Sequence, residues 1–350
     1  MQQTKKRSFW SNLLKYVIPL VISVGLCYLL FTGIDFGEMM AIIREQCDFR
    51  WIAFGFVFAI LAQVCRGLRW GIQLRALGIE VPVRALVLSI FGTYAVNLVF
   101  PRLGEVWRTG YIAQRQNAPF TTVFGSMVAD RLADTVFVLL LTGFTFIIAS
   151  KAILSFLHEN GESYEAIARL LESPWLWGAA VVLIAGIWIF MTRRSDNKVV
   201  VKIQQAVREL WQGFAVIATM PGKGRWLLLT FGIWAGYFTQ TYVCFHAFPF
   251  TSGLLAAHGI QIALVTFVLG SIAMGVPSNG GIGPWQWATM FALGIYGLGK
   301  AEGGAWANLV LGTNTLLTIV LGIITFVWIA LDKKKTVGTD IDKKKQIKEI

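Results

Sequence analysis

The sequence predicts an all-α fold: a polytopic helical membrane protein with six full spans plus two re-entrant, broken helical hairpins in an inverted repeat. Three observations predict it. Of the 350 residues, 56% are hydrophobic and 14% charged, whereas a soluble domain carries about 25% charged residues. The apolar residues fall in blocks of about 16–25, the length of a helix that crosses a hydrocarbon core. Two of these blocks run directly into proline–glycine turns. A soluble globular enzyme, a disordered chain and a disulfide scaffold are excluded, and the sequence lacks the alternating strands of a membrane barrel.

The expected full spans are 16–32, 51–64, 123–150, 174–192, 226–245 and 306–331. Lys5, Lys6, Arg7 and Lys15 precede the first. No small-residue cleavage site follows it, so it reads as an uncleaved span after a cytoplasmic tail, 1–15. Trp51, Trp175, Trp226, Trp306 and Trp328 stand near block ends, as in an interfacial aromatic belt. Most of the 31 Lys and Arg lie in segments 1–16, 65–84, 101–122, 192–225 and 331–350. These segments are expected in the cytoplasm, with both termini, and the acid-rich segments 33–50 and 150–173 outside. This charge layout also explains the net charge of +12, so no nucleic-acid partner is inferred.

Residues 65–84 and 108–122 then lie on one side, so the block between them cannot be a single crossing. Sixteen helical residues reach about 24 Å, short of a core of roughly 30 Å. Residues 85–116 are therefore expected to enter from the cytoplasm, turn near Pro101 and return. Residues 260–298 do the same from outside, turning at 277–284, although two ordinary short spans would satisfy the charge pattern equally. Both tips carry Pro-x-x-Gly, Pro101 to Gly104 and Pro277 to Gly280. Each half of the 16–332 domain (16–150 and 174–332) reads span, span, hairpin, span with opposite entry, the pattern of an inverted repeat. Segment 196–222 has an apolar face and reads as a cytoplasmic surface helix. The lysine-rich tail 333–350 reads as disordered.

Charged residues within apolar segments are costly and mark candidate sites. Hairpin one has Arg102, Glu105 and Arg108, spaced to share a face if the helix resumes after Pro101, with Asn97 before the turn. The block 123–150 holds Asp130, Arg131 and Asp134, the two aspartates four apart. These three form either a structural ion-pair network or a coupling site. Arg66 and Arg69 end the second span and are grouped with these three as a candidate coupling or structural network, the alternative being charges that only set topology. Hairpin two has no charge, but Asn279, Gly280, Gly281 and Gly283 precede Pro284, where backbone N–H groups can hold a phosphate.

The three histidines and four cysteines are scattered without metal-type spacing. No P-loop, His-Glu-x-x-His or Gly-x-Ser-x-Gly motif with partners is present. No metal, cofactor or catalytic residue is therefore predicted.

Arg66-Gly67-Leu68-Arg69-Trp70, Asn97-x3-Pro101-Arg102-x-Gly104-Glu105-x2-Arg108, Asp130-Arg131-x2-Asp134 and Gly275-x-Pro277-x2-Gly280-Gly281-Ile282-Gly283 occur in that order. Together they resemble the lysylphosphatidylglycerol synthase transmembrane (flippase-like) family over roughly residues 15–332. The resemblance implies a multi-pass protein of the cell (inner) membrane that moves an anionic or phosphate-bearing lipid, a phospholipid or a polyprenyl-phosphate carrier. Arg102 and Arg108 would hold the phosphate, with Glu105 as counter-charge. Fused relatives carry a lysine-transferring domain, and no such domain is found within the 350 residues, so lysine transfer is not expected. The competing expectation is a membrane-embedded enzyme of lipid or polyprenyl-phosphate modification, or a membrane subunit that assists a lipid-modifying enzyme partner.

Overall fold

The computed structural model describes residues 36–159 and 220–348, besides Pro174 and Gly178, with side chains described within 37–150 and 220–332. The expected spans 16–32 and 174–192 lie outside the described residues, apart from the isolated Pro174 and Gly178. All but the last three residues of the surface helix 196–222 also lie outside them. Among the described residues all regular structure is helical: α1 (Phe36–Gln46), α2 (Phe49–Ala76), α3 (Val83–Val99), α4 (Leu103–Arg115), α5 (Phe120–Glu159), α6 (Lys223–Cys244), a 3-10 turn (Phe245–Ala247), α7 (Pro249–His258), α8 (Ile260–Ala273), α9 (Pro284–Ile295) and α10 (Lys300–Lys348). Among the described residues, three helices are long and apolar enough to cross a membrane: α2, α5 over Phe120–Ser150 and α10 over Lys300–Asp332. The pair α7–α8, bent by 112°, makes a fourth if it is taken as one span. Helix α6 forms where a full span was expected but is not among these. Helix α10 continues to Lys348, where a disordered tail was expected; no proline follows Pro284 to end it.

The centre of the fold is the antiparallel pair α2–α6, its most extensive helix packing. Small residues permit the approach. A Cβ on Gly236 would lie 3.0 Å from the Ala62 Cβ, and one on Gly55 would lie 3.2 Å from the Cys244 sulfur. Without a hydrophobic drive between helices in lipid, such close packing supplies much of the association. Asp48 opens α2 by accepting from the Arg50 N–H at 3.0 Å, satisfying one free donor of the first turn.

Helices pair where the two hairpins were expected. In the first, Arg102 takes a left-handed conformation (φ 65°) and reverses the chain after Pro101. Helix α4 then returns along α3 so closely that a Cβ on Gly104 would lie 2.1 Å from the Thr93 carbonyl oxygen. The second pairs α8 with α9 around a turn in which Gly280, Gly281 and Gly283 all have positive φ, open to glycine at little cost. Pro284 then begins α9, a position suited to its fixed φ and missing N–H. The two tips touch. Asn279 donates to the Leu98 carbonyl at 3.2 Å, and Arg102 donates to the Gly275 carbonyl at 2.5 Å.

Candidate functional site

Two turns of α2 and two of α5 bring four charged side chains together inside the bundle. Arg66 pairs with Asp134. Arg69, wholly buried, lies 2.7 Å from Asp130 and 2.8 Å from Asp134 through a single nitrogen. It also donates to the Thr230 hydroxyl at 3.3 Å and lies over the Trp226 ring. Arg66 and Arg69 thus stand with Asp130 and Asp134, as grouped from the sequence, rather than at the surface as topological charges. Both point inward, because aspartates one turn apart on α5 supply opposite charge at the same level.

Hairpin one adds a second layer. Glu105 accepts from Arg131 at 2.9 Å and from the Asn97 amide at 3.1 Å. The Asn97 carbonyl oxygen takes the Gly104 N–H at 2.8 Å, so Asn97 ties both arms of the hairpin to Glu105. Arg102, Glu105 and Arg108 do not form the shared face expected from their spacing. Arg102 stands outside the helix with its side chain on hairpin two. Arg108 is fully buried behind the hairpin, over the Trp70 ring and 3.9 Å from Asp130. Its guanidinium has no hydrogen-bond partner among the described residues. The partner of Glu105 is Arg131, not Arg102.

Among the described residues, four arginines in this cluster (Arg66, Arg69, Arg108, Arg131) face three carboxylates (Glu105, Asp130, Asp134). Guanidinium groups stay protonated in proteins, so one positive charge is left over when the three carboxylates are ionised.

The cluster borders a cavity of about 360 Å³, within the size range of small-molecule sites. Arg66, Arg102, Glu105, Arg131, Asp134 and Asn97 line it, with Gly280 and Gly281 of hairpin two. Arg69, Arg108, Asp130, Asn279 and Gly283 do not. The N–H of Gly283 is already given to the Gln286 side chain at 2.9 Å, which removes it from the expected anion-binding turn.

Reasoning from charge alone missed the neutral half of the lining. Gln63, Tyr94, Tyr237, Gln240 and Asn314 all face the cavity. The Tyr94 and Tyr237 hydroxyls meet at 3.0 Å, and Gln240 donates to Asn314 at 2.8 Å. The available signal was an amide or phenol inside an apolar block, which in lipid needs a partner. Among the described residues, no group of His, Cys, Asp and Glu could hold a metal ion.

Buried ion pairs beside a polar cavity, enclosed by apolar helices and two abutting hairpins, define a helical membrane protein with an interior polar site. The family model for the lysylphosphatidylglycerol synthase TM region matches residues 16–322, and the chain belongs to that family. The chain is also similar to the glycosyltransferase AglD of Haloferax volcanii, 25% identical over 337 residues. That match covers 88% of this chain and 53% of the relative, so the chain spans about half the relative's length. No solved structure matches the chain. The family makes this a membrane protein related to lipid modification.

Proposed function

We propose that the chain moves a phosphate-bearing anionic lipid across the cell (inner) membrane, with both termini cytoplasmic. The observation that carries this reading is the extra positive charge of the buried cluster at the cavity wall. An unpaired charge at that depth costs several kcal/mol, and an anionic head group in the cavity relieves it. Arg131, Arg66 and Arg102 face the head group. Glu105 is the internal counter-charge that the anion displaces from Arg131. Arg108 adds positive potential from behind without contact. Asp130 and Asp134 hold the arginines in place. The abutting tips of hairpins related by an inverted repeat form the point about which the two halves rock. A second reading has one supporting observation, the glycosyltransferase name of the relative: the chain then serves as the membrane part of a lipid-modifying system and presents the lipid to a partner enzyme.

Reconstitution into liposomes with labelled lipids in one leaflet tests the proposal. Phosphate-bearing anionic lipids are expected to cross faster than in protein-free vesicles, and Arg131→Gln is expected to abolish the difference. Equal crossing of zwitterionic and anionic lipids, or full activity of Arg131→Gln, overturns it. Crossing that appears only with a partner enzyme present supports the second reading.

A further inference from the structure

Helices α2 and α6 run antiparallel, and both change chemistry in the same direction. Arg66 of α2 lies 6.0 Å from the ring of Tyr237 on α6. One turn further along each helix, on the side away from the charged cluster, stand Gln63 and Gln240. The shift is three residues, about 4.5 Å. Asn314 of α10 completes this second layer through its hydrogen bond to Gln240. The cavity therefore has a cationic layer and, one turn away, a layer of neutral amides, and the rings of Trp234 and Trp285 are also part of its lining.

The amides are not used up by the protein. Among the described residues the Gln63 side chain has no hydrogen-bond partner, although the residue is 7% exposed. Each primary amide offers one acceptor oxygen and two N–H donors. The Gln240–Asn314 bond consumes one donor and one acceptor, so the pair retains both kinds whichever way the amides are oriented. An acceptor and a donor side by side match two neighbouring hydroxyls, and flat aromatic walls match the apolar faces of a sugar ring. An ammonium is a donor only and would leave the amide donors unused, and before a lipid binds both carboxylates lining the cavity are paired with arginines.

We infer that the head group taken by this cavity is a glycosyl phosphate: a phosphate on the arginine layer, carrying a sugar whose hydroxyls bind Gln63, Gln240 and Asn314. This rests on the anionic-lipid reading above and adds the second layer to it.

Purified full-length protein in detergent is titrated with four probes: a polyisoprenyl phosphate, the same lipid carrying one hexose on its phosphate, phosphatidylglycerol and lysylphosphatidylglycerol. Binding is read by native mass spectrometry and by thermal shift. The hexose-bearing phosphate is expected to bind about tenfold tighter than the bare phosphate, the worth of one or two hydrogen bonds. Gln240→Met and Gln63→Met should each remove that advantage and leave bare-phosphate binding intact. Retained phosphate binding reports a folded site. If Gln240→Met fails to fold for want of its bond to Asn314, Gln63→Met, which gives up no internal bond, decides. Equal binding of the two polyisoprenyl lipids overturns the sugar layer and leaves the anionic-lipid reading standing. Tightest binding of lysylphosphatidylglycerol overturns the glycosyl phosphate assignment. Failure of every phosphate lipid to bind overturns the anionic-lipid reading as well.

Discussion

Arg69 and Asp130 are both wholly buried and meet at 2.7 Å, with Arg108 approaching the other carboxylate oxygen at 3.9 Å. Asp130 is thus the carboxylate between two buried cations. Asp130→Asn leaves both facing a neutral amide, and breaking a buried pair from one side costs about 3–5 kcal/mol. A lower melting temperature in detergent is the expected outcome. Arg115→Gln is the control, because its pair with Asp332 is more than one third exposed and such pairs contribute about 0–1 kcal/mol. Equal melting of the two variants would contradict the buried-network assignment.

The closeness of α3 and α4 rests on Gly104. An added Cβ would meet the Thr93 carbonyl at 2.1 Å and the Asn97 side-chain oxygen at 2.8 Å, both needed for the hairpin. Gly104→Ala should cost about 1–3 kcal/mol through overpacking and reduce transport. Gly110→Ala, six residues along the same helix, meets nothing within 4 Å and should be neutral or slightly stabilising, since alanine is the better helix former. Equal melting temperatures would mean the hairpin is not packed as described.

Topology gives a separate test. The ion pair Arg115–Asp332 puts the end of α4 beside the end of the apolar part of α10, on the side where lysine follows. In a cysteine-free background, a cysteine at Gln114 or Arg75 should react with an impermeant thiol reagent from the cytoplasmic side, and one at His258 from outside. Labelling of Gln114→Cys from outside would make α3–α4 a crossing and remove the re-entrant hairpin.

The helices were legible because blocks of apolar residues and two proline–glycine breaks are local signals. The turn at Pro101 and the pairing of Asp130 with Asp134 on one face followed from spacing alone. The partners did not. Arg66 and Arg69 could be grouped with the aspartates but not paired with them, because those aspartates lie more than 60 residues away. The positive φ of Arg102 breaks the three-residue register that would have aligned it with Glu105 and Arg108. Glu105 could not be assigned to Arg131 without knowing how α4 packs on α5. The amide layer stayed hidden because Gln63, Gln240 and Asn314 are each an isolated polar residue in an apolar block.

Arg102 links the hairpin tips at a cost. Its left-handed backbone is unfavourable by about 1–2 kcal/mol for a residue with a Cβ, and its side chain gives a hydrogen bond to the Gly275 carbonyl. Arg102→Gly relieves the first and loses the second. The melting temperature should change little, since Asn279 still joins the tips, while transport falls because Arg102 no longer holds Gly275 or faces the head group. Full transport by this variant would show that the Arg102 side chain and its bond to Gly275 play no part in movement.

Glu105 and Arg131 meet at 2.9 Å at the cavity wall. If the cavity takes an anion, this pair is the point of exchange, where the lipid phosphate replaces Glu105 as the partner of Arg131. Glu105→Gln removes one negative charge and raises the excess from one positive charge to two. It keeps an oxygen for the Asn97 amide, so the hairpin tie survives. Lipid phosphate should bind about tenfold tighter, equivalent to roughly 1.4 kcal/mol, and turnover should slow as release becomes limiting. Arg131→Lys keeps the charge but loses the planar fork that grips phosphate in two places, so binding should weaken with little change in melting temperature. A purely structural pair gives a different result: Glu105→Gln lowers the melting temperature and leaves lipid binding unchanged. Native mass spectrometry of bound lipid, read beside a melting curve for each variant, separates the two, and unchanged lipid binding in both variants would remove Arg131 from the site.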